Sequence, residues 1–246
     1  APTNTTLAGT VFYDPNTTQP YSHDASVYVE RQIGSQIGSR VGFIYKTEDD
    51  LIALYNPSRP ISAYTQPFSF VDVGVDGITG TADDRTLTLL GVPTSQAANF
   101  PITNVEQNTG RFSRYKTVEA SMAKRHGNRW SAQVGGSYTW SNDFPGAYPN
   151  DPNGQFAEPT TRWDFKVSGS VDAPFGIRIS PLVRHQAGLN FARQISVGSA
   201  AATAAGAIYS GTIYAEARDA RRQDNITVFD IRAERAFKVV GKVRAR

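Results

Sequence analysis

Four aspartates, Asp72, Asp76, Asp83 and Asp84, fall in the run DVGVDGITGTADD, which Gly74, Gly77 and Gly80 interrupt. Carboxylates this close in sequence repel one another unless water, donors or a cation neutralise them. Ca²⁺ takes about six to eight oxygen ligands from carboxylates and backbone carbonyls, and a glycine-punctuated loop supplies both. Calcium binding is therefore the chemistry these residue types allow. The spacing is not that of an EF-hand, which needs D-x-[DN]-x-[DN]-G and a closing Glu. The same composition also makes an acidic turn cluster with no metal, because Asp and Gly favour turns.

A second polar group lies in Asn142–Asn153, NDFPGAYPNDPN, with Asp143, Tyr148, Asn150, Asp151 and Asn153. Long loops on a rigid scaffold often carry binding residues, so these five are expected to contact a ligand; they equally read as a Pro/Asn turn cluster. His23, His126 and His185 lie far apart, without HxxH or HExxH spacing, which argues against zinc. The absence of cysteine removes disulfides, thiolate metal sites and thiol nucleophiles. No G-x-S-x-G, P-loop or dinucleotide fingerprint occurs, and no carboxylate pair has a recognisable acid–base context. The expectation is a protein without catalytic chemistry.

The elements that must position these loops alternate with a period of two. In Arg129–Trp140, Trp130, Ala132, Val134, Gly136, Tyr138 and Trp140 share one face, and Ser131, Gln133, Gly135, Ser137 and Thr139 share the other. In Thr161–Val171, Trp163, Phe165, Val167, Gly169 and Val171 oppose Asp164, Lys166, Ser168 and Ser170. Similar alternation marks Tyr115–Lys124, Ile177–Arg184, Thr227–Arg235 and the stretches around Val27–Glu30 and Val41–Tyr45. Glu119, Lys124, Asp164, Lys166, Arg178, Arg184, Asp230, Arg232 and Glu234 are assigned to the polar faces. Such segments match the roughly 9–11 residues with which a tilted strand crosses a bilayer. Trp130, Tyr138, Trp140 and Trp163 stand at the ends of apolar faces, where membrane-interface aromatics belong. A sandwich with Trp in its core is the competing arrangement.

Connections alternate as well. Short Gly, Asn or Pro turns at Gln32–Gln36, His126–Arg129, Asp172–Gly176 and Val239–Lys242 contrast with long polar loops at Thr47–Arg114, partly structured, Ser141–Thr160 and Gln186–Ile226, the last with strand extensions expected near Leu189–Val197 and Ala207–Ala217. Segregation of short turns from long loops is the pattern of outer-membrane barrels. The Ala-rich Ser199–Ala207 has no amphipathic pattern and reads as a flexible loop. The 246 residues carry 25 Lys+Arg against 22 Asp+Glu, a balance that gives no nucleic-acid signature. No apolar run approaches the length of a membrane helix, which leaves a β-barrel open.

Four passages together resemble the barrel portion of TonB-dependent outer-membrane receptors, the Oar-like group whose members carry a carboxypeptidase-regulatory-like domain. They are QPYSHDASVYVERQ with the following SRVGFIYKTEDDL, VDVGVDGITGTADDRTLTLL, the stretch from RYKTVEASMAKRHGNRWSAQVGGSYTWS to TTRWDFKVSGSVDAPFGIRISPLVRHQAG, and the closing DNITVFDIRAERAFKV. The resemblance implies an all-β, antiparallel transmembrane β-barrel segment with long extracellular loops over residues 1–246, in the bacterial outer membrane. Its partners would be outer-membrane lipid, the remaining strands and plug of the same receptor, the TonB complex acting through that plug, and an unidentified extracellular solute. Such receptors resemble 22-stranded barrels, whereas this length suits about nine to twelve strands. The plug, the TonB-contacting segment and the last strands are expected to lie outside the chain. The transporter reading competes with a structural or adhesive surface protein whose Asp-rich loop Ca²⁺ stiffens, and with a soluble β-sandwich binding module.

Overall fold

A computed structural model describes residues 11–144, 149–150, 159–217, 219–235, 237–240 and 243–245. Nearly all regular structure is β. The strands are β1 (Val11–Tyr13), β2 (Tyr21–Ile33), β3 (Ile37–Tyr55), β4 (Gln66–Asp72), β5 (Arg85–Pro93), β6 (Asn104–Gly127), β7 (Trp130–Phe144), β8 (Pro159–Ala173) and β9 (Ile177–Gln186). Short strands β10 (Asn190–Phe191) and β11 (Gln194–Val197) precede helix α1 (Ser199–Ala204). They are followed by β12 (Ala207–Ile208), β13 (Gly211–Tyr214), β14 (Arg221–Arg222), β15 (Ile226–Arg235), β16 (Phe237–Val240) and β17 (Val243–Ala245).

Seven long strands form one antiparallel wall in the order β15-β9-β8-β7-β6-β3-β2, with β1 added parallel to one end of β6. Among the described residues β2 and β15 do not pair with each other, so the wall has two free edges. Three tight turns connect strands at one end. Between β6 and β7 the two turn residues, Asn128 and Arg129, both have positive φ (53° and 69°), as a type I′ hairpin requires. At the other end lie the long connections 56–103 and 187–225, and there β7 ends and β8 begins. The segregation read from sequence is present, but the strands run further than expected. β3 continues to Tyr55 and β6 begins at Asn104, past an irregularity near Asp50 (φ 59°) and Gly110 (φ 65°). A bulge tolerates such an interruption without ending the ladder. Among the described residues the wall has seven long strands, and much of the remaining chain is spent on 56–103 and 187–225.

The register aligns residues by face, because directly opposed residues point the same way. One face carries the row Val27, Phe43, Val118, Tyr138 and Trp163, and further along Met122, Val134, Val167, Val183 and Phe229. The other carries Tyr28, Gly42, Glu119, Ser137 and Asp164, then Glu30, Arg40, Ser121, Gly135, Lys166 and Arg184. Lys124 is a correction: it lies in register with Ile37 and Ala132 on the apolar face, because it shares the parity of Val118 and Met122. Hydroxyl pairs knit the polar face, with Thr117 to Thr139 at 2.8 Å, Ser131 to Ser170 at 2.8 Å and Ser141 to Thr160 at 2.7 Å. Arg40 bridges Glu30 and Glu119, and the Ser137 hydroxyl donates to Asp164.

No protein layer covers the apolar face among the described residues. Val41, Met122, Phe165 and Val171 stay exposed on interior strands, and Phe229 and Ile231 are each 63% exposed. The buried core lies elsewhere. Every buried apolar residue of the described chain belongs to 56–103 or 187–225, which fold together into a cap at the long-loop end. The β4–β5 hairpin turns Phe68, Leu87 and Leu89 inward against Val197, Ala202, Ala207 and Ile213. β12 docks on β5, and a Cβ at Gly91 would come within 2.8 Å of the Ala207 Cβ, so this approach needs glycine. Ser199–Ala207 is thus no flexible loop: α1 occupies Ser199–Ala204 and Ala202 is fully buried. Alanine suits this position because its small side chain permits close packing.

Candidate functional site

The four loop aspartates do not converge. Asp72 closes β4 and is only 2% exposed. Arg193 donates to its two carboxylate oxygens at 2.6 and 2.8 Å, and Arg85 lies 3.7 Å away. Beyond it, each carboxylate accepts from its own turn. Asp76 Oδ1 accepts from the Ile78 N–H at 2.8 Å. Asp83 Oδ2 accepts from the Val75 N–H at 2.7 Å, with its Oδ1 2.8 Å from the Thr81 hydroxyl. Asp84 Oδ2 accepts from the Gly80 N–H at 2.6 Å. A Cβ at Gly74, whose φ is 70°, would fall into the Asp83 carboxylate. Among the described residues no three acidic or histidine side chains group as a metal site. The Thr81 hydroxyl and the Val75 N–H beside Asp83 hold its carboxyl below the usual carboxylate range.

Asp72 begins a chain of alternating charge. Behind Arg193 stands Glu216, 3.6 Å from its Nε, and Arg221 grips Glu216 with two hydrogen bonds of 2.6 Å. The guanidiniums of Arg193 and Arg221 hold the carboxyls of Asp72 and Glu216, respectively, below their usual range, against the opposing effect of burial. The Arg85 guanidinium also donates to the Ala215 carbonyl at 2.9 Å. These residues tie 66–93 to 193–221. Further on, Arg222 donates to the Thr161 carbonyl at 2.8 Å, fastening β14 to the top of β8.

Of the five loop residues expected to contact ligand, Asn150 is buried and committed to the backbone. Its Oδ1 accepts from the Leu90 N–H at 2.7 Å, and its Nδ2 donates to the Leu90 carbonyl at 2.9 Å. The side-chain amide thereby mimics one rung of a β-ladder on the β5 edge. Asp143 accepts from the Ser113 hydroxyl at 2.6 Å across β6–β7. Tyr148, Asp151 and Asn153 lie outside the described residues.

The aromatics mark two ends of the apolar face. Near the tight turns, the Lys124 ammonium lies 3.9 Å from the Trp130 ring centroid and donates to the carbonyls of Gly127 at 2.8 Å and Trp130 at 3.0 Å. Near the cap, Tyr138 and Trp140 pack with centroids 4.5 Å apart, and Trp163 sits in register with Tyr138. Trp130 to Trp140 spans roughly 33 Å along the strand at about 3.3 Å per residue. At the cap-side end of this aromatic band Tyr45, Arg114, Tyr115, Lys116, Trp140, Ser141 and Asn142 line an open cleft of ≈ 350 Å³.

Sequence reasoning missed Arg193, Glu216, Arg221, Arg114 and Lys116. The first three have partners too distant in sequence for spacing to reveal. Arg114 and Lys116 did carry a signal: they share the parity of Val118 yet are charged.

Comparison with known proteins assigns no family: no family model matches the chain, and neither a curated protein nor a solved structure matches it.

Proposed function

We propose that this chain is part of the wall of an outer-membrane β-barrel of the TonB-dependent receptor type, with the cap outside the cell. The observation that carries the reading is the seven-strand wall with an uncovered, mainly apolar face, interrupted on β2 and β3 by Arg31 and Ser39, and aromatics at both of its ends. Water penalises such a face, and a lipid core does not. The hydrogen-bonded polar face then lines the lumen and meets the plug. The free edges of β2 and β15 require further strands of the same receptor, because lipid leaves no backbone edge unpaired. The cap, with its own core, forms the outer mouth through which an extracellular solute is taken up with energy relayed by the TonB complex.

The test uses the cysteine-free chain within the native receptor in membranes. A bimane fluorophore on V134C is expected to be quenched by brominated lipid, and one on its neighbour Q133C is not. Equal quenching, or none at either site, overturns the wall reading. A second reading, a surface or adhesive protein, draws on the cap's fixed, preassembled core. It is favoured if the full-length protein lacks a plug and TonB-contacting segment and its deletion leaves solute uptake unchanged.

A further inference from the structure

We propose that the cleft of Arg114, Lys116, Tyr45 and Trp140 binds the phosphorylated head group of an outer-leaflet glycolipid, an inference that rests on the wall reading. From Arg114 to Val171, the apolar face of β6, β7 and β8 carries three Lys or Arg residues: Arg114, Lys116 and Lys124. Lys124, at the tight-turn end, is saturated by turn carbonyls and the Trp130 ring. At the cap end, Arg114 reaches Asp49 at 3.0 Å and lies 4.1 Å over the Phe112 ring. Lys116 has no hydrogen-bond or carboxylate partner among the described residues, and it stands two positions along the strand from Arg114. The cleft therefore holds one positive charge beyond what Asp49 neutralises.

Its surroundings are rich in donors. Trp140 faces Lys116 in register on one side and Tyr45 faces it on the other, and Asn142 sits opposite Arg114. A phosphate monoester matches such a set: guanidinium gives it a two-pronged contact and ammonium a point charge. Depth selects the source. The cleft sits at the cap-side boundary of the aromatic band, where lipid head groups lie, and the acyl chains would run down over Val118, Tyr138 and Phe165.

The test is native mass spectrometry of the delipidated full-length receptor in detergent, titrated with bisphosphorylated lipid A and with its dephosphorylated counterpart. The phosphorylated lipid is expected to bind wild type more tightly, and R114Q/K116Q to weaken it about tenfold or more. K116R is expected to retain binding, and K166Q, on the opposite face, to bind as wild type. Equal binding of the two lipids, unchanged binding to R114Q/K116Q, or full displacement by millimolar inorganic phosphate overturns the proposal. Quenching at V134C, measured in parallel, separates the outcomes. If V134C is quenched and phosphate makes no difference, the head-group site fails and the wall reading stands. If V134C is not quenched, the wall reading fails and takes the head-group site with it.

Discussion

Asp72 and Arg193, 121 residues apart in sequence, meet through two parallel hydrogen bonds of 2.6 and 2.8 Å, with the carboxylate almost fully withdrawn from water. This pair joins two excursions that leave the wall from different strands. Removing one member of a buried ion pair strands the other charge, at a cost of about 3 kcal/mol. D72N is therefore expected to loosen the cap while the wall stays folded. Limited proteolysis should show faster cleavage within 66–93 and 187–225 and unchanged protection of β6–β8.

The same pair sets a pH response. Arginine partners lower the folded-state carboxyl pKa of both Asp72 and Glu216. A lowered pKa gives stability that is present above the unfolded value, about 4, and lost as pH falls through the depressed folded value. Burial acts oppositely on Tyr64 and Tyr209, raising their pKa, so their contribution is lost as pH rises beyond about 10. Cap protease resistance should be flat from about pH 5 to 9 and fall below about pH 4. The acid decline should be shallower in D72N.

Core truncations should separate the two parts of the molecule. I213A removes a buried side chain from the cap and is expected to cost about 3 kcal/mol. V29A, at a position 69% exposed, should cost little in detergent. Urea unfolding followed by protease sensitivity in the cap and by heat-modifiable gel mobility for the wall distinguishes them. Equal losses would mean that the wall has its own protein-covered core.

The Asp83 carboxylate already accepts from Val75 and Thr81. D83A is expected to loosen its turn, read as faster proteolysis between residues 72 and 85, with or without a chelator. A chelator-dependent change in the wild type that disappears in D76A/D83A would instead establish the loop as a calcium site.

At the tight-turn end, R129G would place glycine where φ is 69° and create the Asn-Gly pair that type I′ turns favour. A gain of up to about 1 kcal/mol in the wall's urea midpoint is expected. A loss would show that the Arg129 side chain contributes more than its backbone strain costs.

The alternation of Trp130–Trp140 is legible because apolar and polar residues alternate with the period of two that a strand imposes on its two faces. Lys124 has the parity of Val118 and Met122, but its charge points to the other face. Its ammonium satisfies turn carbonyls, which no strand pattern encodes. The upper parts of β3 and β6 read as loop since residues such as Asn104, Glu106 and Asn108 give no apolar alternation beyond the aromatic band. The Ala-rich helix was hidden for the opposite reason: small side chains carry no amphipathic signal yet pack most closely. The Asp cluster was legible as turn chemistry, while the pairing of Asp72 with Arg193 depends on where two distant excursions land.

The cap joins the connection after β3 to the connection after β9, and in the sheet those strands are separated by β6, β7 and β8. At about 4.8 Å per strand step, the arc beneath the cap is roughly 19 Å long. The packed loops therefore act as a chord across that arc. A chord of fixed length sets the curvature of the strands below it. Flattening or tightening the wall at this end strains the contact between Asp72 and Arg193, so the bend of the strands and that ion pair are one mechanical variable.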